Sequence, residues 1–234
     1  MKILISYLTL FIIGSFLGWI LELFYRRFFS AKKWLNPGFL TGPIVPLYGF
    51  GIIILHLISL LQMDWYYQVI LITISMTLIE YIAGIIFIHG LKIKLWDYSN
   101  MRGNIQGLIC PLFTFFWGFI GTLFLFFINP YIIDLLNKLA TTEYFHLLVF
   151  VIGMTYGVLL IDFLHSLKIA NKLKALANKT KETIIYEKFK EFIAKERSKK
   201  SFFIPIKLSE TTNEWIENFS SSLKKIIFKD DNKK

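Results

Sequence analysis

Glu80 is the residue best placed to do chemistry. It lies near the middle of an apolar run from about Tyr66 to His89. A charge at that depth in a bilayer costs roughly 2.5–3.5 kcal/mol on insertion scales. Something must face it, or it carries a proton. The functional reading is a substrate or proton site. The structural reading is a protonated glutamate that hydrogen-bonds two helices. Thr77 lies one turn away and Tyr81 beside it; Tyr48, His56 and Ser15 are candidate partners on other helices.

A second polar group gathers at one end of the apolar runs: Glu22, Asp97, Asp162, Arg26, Arg27 and Arg102. It reads as a vestibule for a charged ligand or as ion pairs fixing helix ends, such as Glu22 with Arg26 at i,i+4. Arg26 and Arg27 suit the ion-pair reading. Glu22, Asp97, Arg102 and Tyr48 join Glu80 as candidates for a substrate or proton site. Trp34, Trp96 and Tyr98 fit an interfacial aromatic belt. His56, His89, His146 and His165 show no metal-ligand spacing beyond Asp162-x-x-His165, so no metal is assigned. There is no G-x-x-x-x-G-K-[ST], so the chain does not itself bind ATP by a P-loop. Cys110 and the serines lack a base nearby in sequence. No catalytic residue or cofactor is assigned, which weighs against an enzyme.

These residues are carried by membrane helices. Of the 234 residues, 55% are hydrophobic and 18% aromatic, and mean hydropathy is +0.56. The apolar residues fall in blocks of about twenty, the length that crosses a hydrocarbon core. The expected fold is all-α, a polytopic bundle of five spans. They run over about Ile3–Phe24, Gly42–Leu61, Tyr66–His89, Leu108–Ile128 and Phe145–Leu167. The first is too long for a signal h-region and ends without a small-residue cleavage site, so it reads as retained. Asn129-Pro130 is expected to end the fourth, with a loop from Tyr131 to Tyr144. The lone cysteine excludes an intramolecular disulfide.

The connections repeat. Gly38 to Leu47 and Gly103 to Leu112 both spell G-x-x-x-G-x-x-x-P-L, and extending the pairing to Phe50 and Phe115 gives six identities in thirteen positions at an offset of 65. Each follows an apolar run with one glutamate, Glu22 or Glu80. This predicts two tandem hairpins, about 3–61 and 66–128, within a bundle over 1–167. Gly38, Gly42, Pro43, Pro46, Gly103, Gly107 and Pro111 are the candidate backbone hinges of the two helix entries.

The loops after the first and third spans are basic, with four and three Lys/Arg. The positive-inside rule then puts the N-terminus outside and the C-terminus in the cytoplasm. The tail, 168–234, holds 17 Lys/Arg against 9 Asp/Glu. Beside a membrane, that charge points to anionic inner-leaflet lipids rather than nucleic acid. Leu173, Leu176, Ile184, Ile185, Phe189, Phe192 and Ile193 predict one or two amphipathic helices. Pro205 breaks the pattern. Thr211-x-x-Glu214 reads as a capping box ahead of an apolar face from Trp215 to Ile227.

Several strings together resemble a known family. They are Gly18-Trp19-x-x-Glu22, Gly38-Phe39-Leu40-x-Gly42-Pro43-x-x-Pro46-x-Tyr48-Gly49-Phe50-Gly51, Glu80-Tyr81-x-x-Gly84, Trp96-Asp97-Tyr98-Ser99, Gly107-x-x-Cys110 and Trp117-Gly118. The family is the bacterial putative type IV ABC-transporter permeases, and the likeness covers about Phe11 to Tyr131. It implies a transport role in a bacterial plasma membrane and supplies no catalytic residues.

Three functions follow. The first is a permease-like transporter subunit, whose ATP-driven form needs a separate ATPase subunit on the cytoplasmic loops. The second is a membrane-embedded enzyme or binder of a lipid headgroup, using Asp97, Glu22 and Arg102. The third is a structural or regulatory subunit whose tail binds lipid or a partner. GxxxG steps at Gly14/Gly18 and Gly153/Gly157 permit a homo-oligomer as readily as internal packing.

Overall fold

Proline decides where each entry loop becomes helix. Val45, before Pro46, and Cys110, before Pro111, are both extended, because a following proline disfavours the helical region. Helix α2 therefore starts at Pro46 rather than Gly42, and α4 starts at Pro111 rather than Leu108. The computed structural model describes residues 1–29, 32–180, 183–186, 188–191 and Asn218. The elements are α1 (Lys2–Phe28), α2 (Pro46–Ser59), α3 (Trp65–Ile85, continued by a π turn to Gly90), β1 (Ile93–Lys94), α4 (Pro111–Leu123), α5 (Asn129–Thr141), α6 (Phe145–Thr180) and β2 (Ile184–Ile185). The fold is an all-α helix bundle.

Four helical stretches are long and apolar enough to cross a membrane: Lys2–Phe28, Trp65–Gly90, Pro111–Thr141 and Phe145–Lys179. The shorter α2 is equally apolar. In the most apolar windows of those four, only 6 to 33% of residues are buried inside the protein. Outward faces bearing Phe115, Phe150 and Ile161 demand an apolar solvent, so this is a multi-pass membrane protein.

Asn129-Pro130 does not end the fourth span. A π turn over Phe124–Ile128 leads into α5, and Pro130 takes its first turn. The missing amide costs little there, so the expected loop is helix as far as Thr141. Helix α6 likewise runs past Leu167 to Thr180. Its 36 residues span about 54 Å, well beyond a hydrocarbon core of about 30 Å.

Two cores result. Leu10, Leu55, Ile72, Met76, Phe124 and Ile132 pack inside the bundle. Phe39, Ile44, Ile93, Leu173, Tyr186 and Phe189 form a second cluster around the extension of α6. Ile184 and Ile185 are not on a helix. They form β2, parallel to β1, with Ile93 opposite Ile184 and Lys94 opposite Ile185. Gly14 and Gly18 are used internally: a Cβ there would fall 2.4 Å from Ile52 and 2.1 Å from the Tyr48 ring. Phe192, Ile193, Pro205, the Thr211–Glu214 box and the apolar face after it lie outside the described residues.

Candidate functional site

Glu80 is buried, with 5% of its surface exposed. Its position on α3 is ten residues before Gly90, about 15 Å of helix. Two donors converge on it. The Tyr98 hydroxyl donates to Oε1 at 2.9 Å, and the Trp117 indole N–H donates to Oε2 at 2.9 Å. These replace the partners expected from Tyr48, His56 and Ser15. Tyr98 is thus no belt residue. The loop after β1 folds back into the bundle, and the Tyr98 ring stacks on Phe113 of α4 at 4.4 Å.

The loop is built to hold that reach. Gly107 carries φ +69°, a conformation that glycine adopts without steric cost. Its carbonyl accepts the Tyr98 amide at 2.8 Å. A Cβ on Gly107 would lie 2.5 Å from Ser99 Oγ and 2.9 Å from Asp97 Oδ1. Trp96 Nε1 donates to the Leu108 carbonyl at 2.8 Å. Asp97 accepts from the Ser99 amide and hydroxyl and from Lys94 Nζ. Partial burial alone would raise the Asp97 pKa, but the Ser99 hydrogen bonds and Lys94 hold it below the ordinary carboxylate value. The Tyr98 hydroxyl is pushed far up by burial, then by Glu80, Tyr48 and Glu22. Glu22, Tyr48, Glu80 and Tyr98 therefore lie within electrostatic reach of one another.

The other candidates are placed as follows. The Tyr48 ring lies 6.1 Å from that of Trp117, and its hydroxyl makes no hydrogen bond among the described residues. Glu22 pairs with Arg26 of the same helix at 2.9 Å. Arg102 is exposed, with no ion pair among the described residues. No contact joins Asp97, Glu22 and Arg102 into one site. Among the described residues, no three His, Cys, Asp or Glu side chains converge as metal ligands would.

The first entry loop has its own anchors. Asn36 Oδ1 accepts from Trp19 of α1 at 2.6 Å. Asp162 of α6 accepts from the amides of Thr41 and Gly42 at 3.1 and 2.9 Å and from the Thr41 hydroxyl. Gly38 and Gly103, 65 residues apart, carry φ +74° and +71°. A Cβ on Gly38 would meet Val45 at 3.0 Å, and one on Gly103 would meet Pro111 at 3.1 Å. Gly42 has no positive φ; a Cβ there would stand 3.1 Å from Asp162. Pro43 lies in the loop, while Pro46 and Pro111 open their helices.

The Glu80 arrangement can respond to a proton or cation. Both oxygens accept hydrogen bonds, the pattern of a carboxylate. If Oε1 takes a proton, the Tyr98 hydroxyl can rotate and accept. If Oε2 takes one, the Trp117 N–H, which only donates, is left facing a weaker acceptor. A charge change at Glu80 is thus felt by both the loop and α4. In the sequence, Tyr98 and Trp117 stand within short motifs. Their joint appearance with Glu80 was the available signal, although neither residue's role followed from spacing.

No curated protein and no solved structure matches the chain. A family model described as putative ABC-transporter type IV matches residues 9–167. The match reaches through most of α6, further than the likeness read from the motif strings, which extends to about Tyr131. A chain matched over that much of its length belongs to the putative type IV ABC-transporter family.

Proposed function

We propose that the chain is the membrane-embedded permease subunit of a transporter, with Glu80 as the intramembrane acid on which its conformational cycle turns. One observation carries the reading. Glu80 is buried in an apolar span and is bonded only to neutral donors among the described residues. Ionisable residues in such places mark substrate or ion pathways. The two donors come from different elements, the loop after β1 and α4, so both meet at this carboxylate. The substrate class is a proton or a cation exchanging at this carboxylate.

The left-handed glycines at equivalent places in the two entry loops support a duplicated hairpin. Their Gly/Pro backbones are then the hinges of the cycle. In this reading the basic loops and the tail face the cytoplasm of a bacterial cell, where an ATPase subunit docks. The headgroup-binding alternative is less favoured, because Asp97 is already engaged by Ser99 and Lys94, and Glu22 by Arg26.

The test is ATP turnover by the full-length chain with its co-purified ATPase, comparing wild type with Glu80→Gln. The reading expects the complex to survive and coupled turnover to fall at least about tenfold. Unchanged turnover in an intact complex would remove Glu80 from the mechanism.

A further inference from the structure

Ile184, Tyr186 and Lys190 between them touch both entry loops. On one side β2 pairs with β1, and the Ile184 amide donates to the Lys92 carbonyl at 3.0 Å. Tyr98 stands only four residues beyond β1. On the other side Lys190 Nζ donates to the carbonyls of Gly38, Asn36 and Leu40 at 2.7, 3.0 and 3.4 Å. The Tyr186 hydroxyl donates to the Phe39 carbonyl at 3.3 Å. Lys190 Nζ also lies 5.1 Å from the centre of the Tyr186 ring. Tyr186, Phe189 and Ile184 are buried against Phe39, Leu40 and Ile93.

A surface segment has no need of a lysine whose ammonium is spent on three carbonyls of one loop. The carbonyls of 36, 38 and 40 face one way, toward Lys190; the amides of 41 and 42 face Asp162. The loop is therefore gripped from two sides, and one of the grips also holds β1. We propose that residues 183–186 and 188–191 form a strap that couples the two helix-entry loops, so that the loop around Gly38 and the loop around Tyr98 open and close together. This goes beyond the permease reading and stands without it, because the coupling is a property of the fold whatever is moved or bound.

Amide hydrogen exchange on the full-length protein in lipid nanodiscs tests it. Lys190→Met removes the carbonyl contacts at the first loop and leaves β2 intact. Ile184→Pro removes the amide that bonds Lys92 and leaves Lys190 in place. Coupling predicts that each variant speeds exchange by at least about fivefold in both 36–42 and 93–107, with α3 unchanged. Acceleration confined to the loop each variant touches would overturn the strap, as would no acceleration at all. Should Ile184→Pro fail to fold, Lys190→Met decides alone. Faster exchange at 93–107, which Lys190 does not touch, supports the coupling, and unchanged exchange there refutes it.

Discussion

Removing the Glu80 side chain strands two donors at once. Glu80→Ala leaves the Tyr98 hydroxyl and the Trp117 N–H without their acceptor, at about 1–3 kcal/mol for each buried group. Glu80→Gln keeps one acceptor oxygen and is expected to cost less. Thermal unfolding in detergent should rank wild type above Glu80→Gln and Glu80→Ala lowest; an alanine variant as stable as wild type would deny the network any structural weight. Lys190 gives a pH signature. Burial and nearby Arg26 push its pKa down to about 7, against the opposing pull of Glu22 and Asp162. A free lysine titrates near 10.4. Between these values the docked strap binds fewer protons than the undocked one, so docking strengthens as pH rises from about 7 toward 10 and is flat below about 7. Comparing wild type with Lys190→Met isolates this: the variant should lose that part of the stability profile. Glu80 itself was legible in the sequence because a charge inside an apolar run stands out. Its donors were not, since they lie 18 and 37 residues away on a loop and a helix that no periodicity links to α3.

At the scale of elements, the two entry loops depend on backbone that other residues do not adopt cheaply. Gly107→Ala would force a side chain into the left-handed region and against Ser99 and Asp97, a cost of more than about 1 kcal/mol. The expected outcome is a lower melting temperature and weaker protection of the Tyr98 amide. Gly153→Ala is the control. A Cβ there meets nothing within 4 Å, so removing glycine from the helix interior should be neutral or stabilising by up to about 1 kcal/mol within the chain. A loss of stability there would instead reveal a packed neighbour. The long helices were readable because their apolar runs match a bilayer. Their ends were not, for local reasons. The following prolines hold Val45 and Cys110 extended, while Pro130, a residue type that usually signals a stop, sits in the first turn of α5 after the π turn at Phe124–Ile128. Ile184 and Ile185 fit a helical face by spacing, and only the unpaired edge of β1 makes them a strand.

The whole molecule joins a lipid-facing bundle to a smaller cluster built on the extension of α6. Phe189, Tyr186 and Leu173 close that cluster over Phe39 and Ile93, so this part of the chain bears on the loop that carries Tyr98 to Glu80. Composition could show that the tail was basic, but not that its first part packs into the fold, because that packing depends on partners far off in the sequence, such as Phe39 and Ile93. On the permease reading proposed above, the subunit needs an energy source that the chain does not encode in a P-loop. The most direct test of that claim is purification of the full-length protein from its native membrane in mild detergent, with mass spectrometry of what accompanies it. The account predicts an ATPase in stoichiometric amount. Repeated recovery of the intact protein with lipid alone would contradict it.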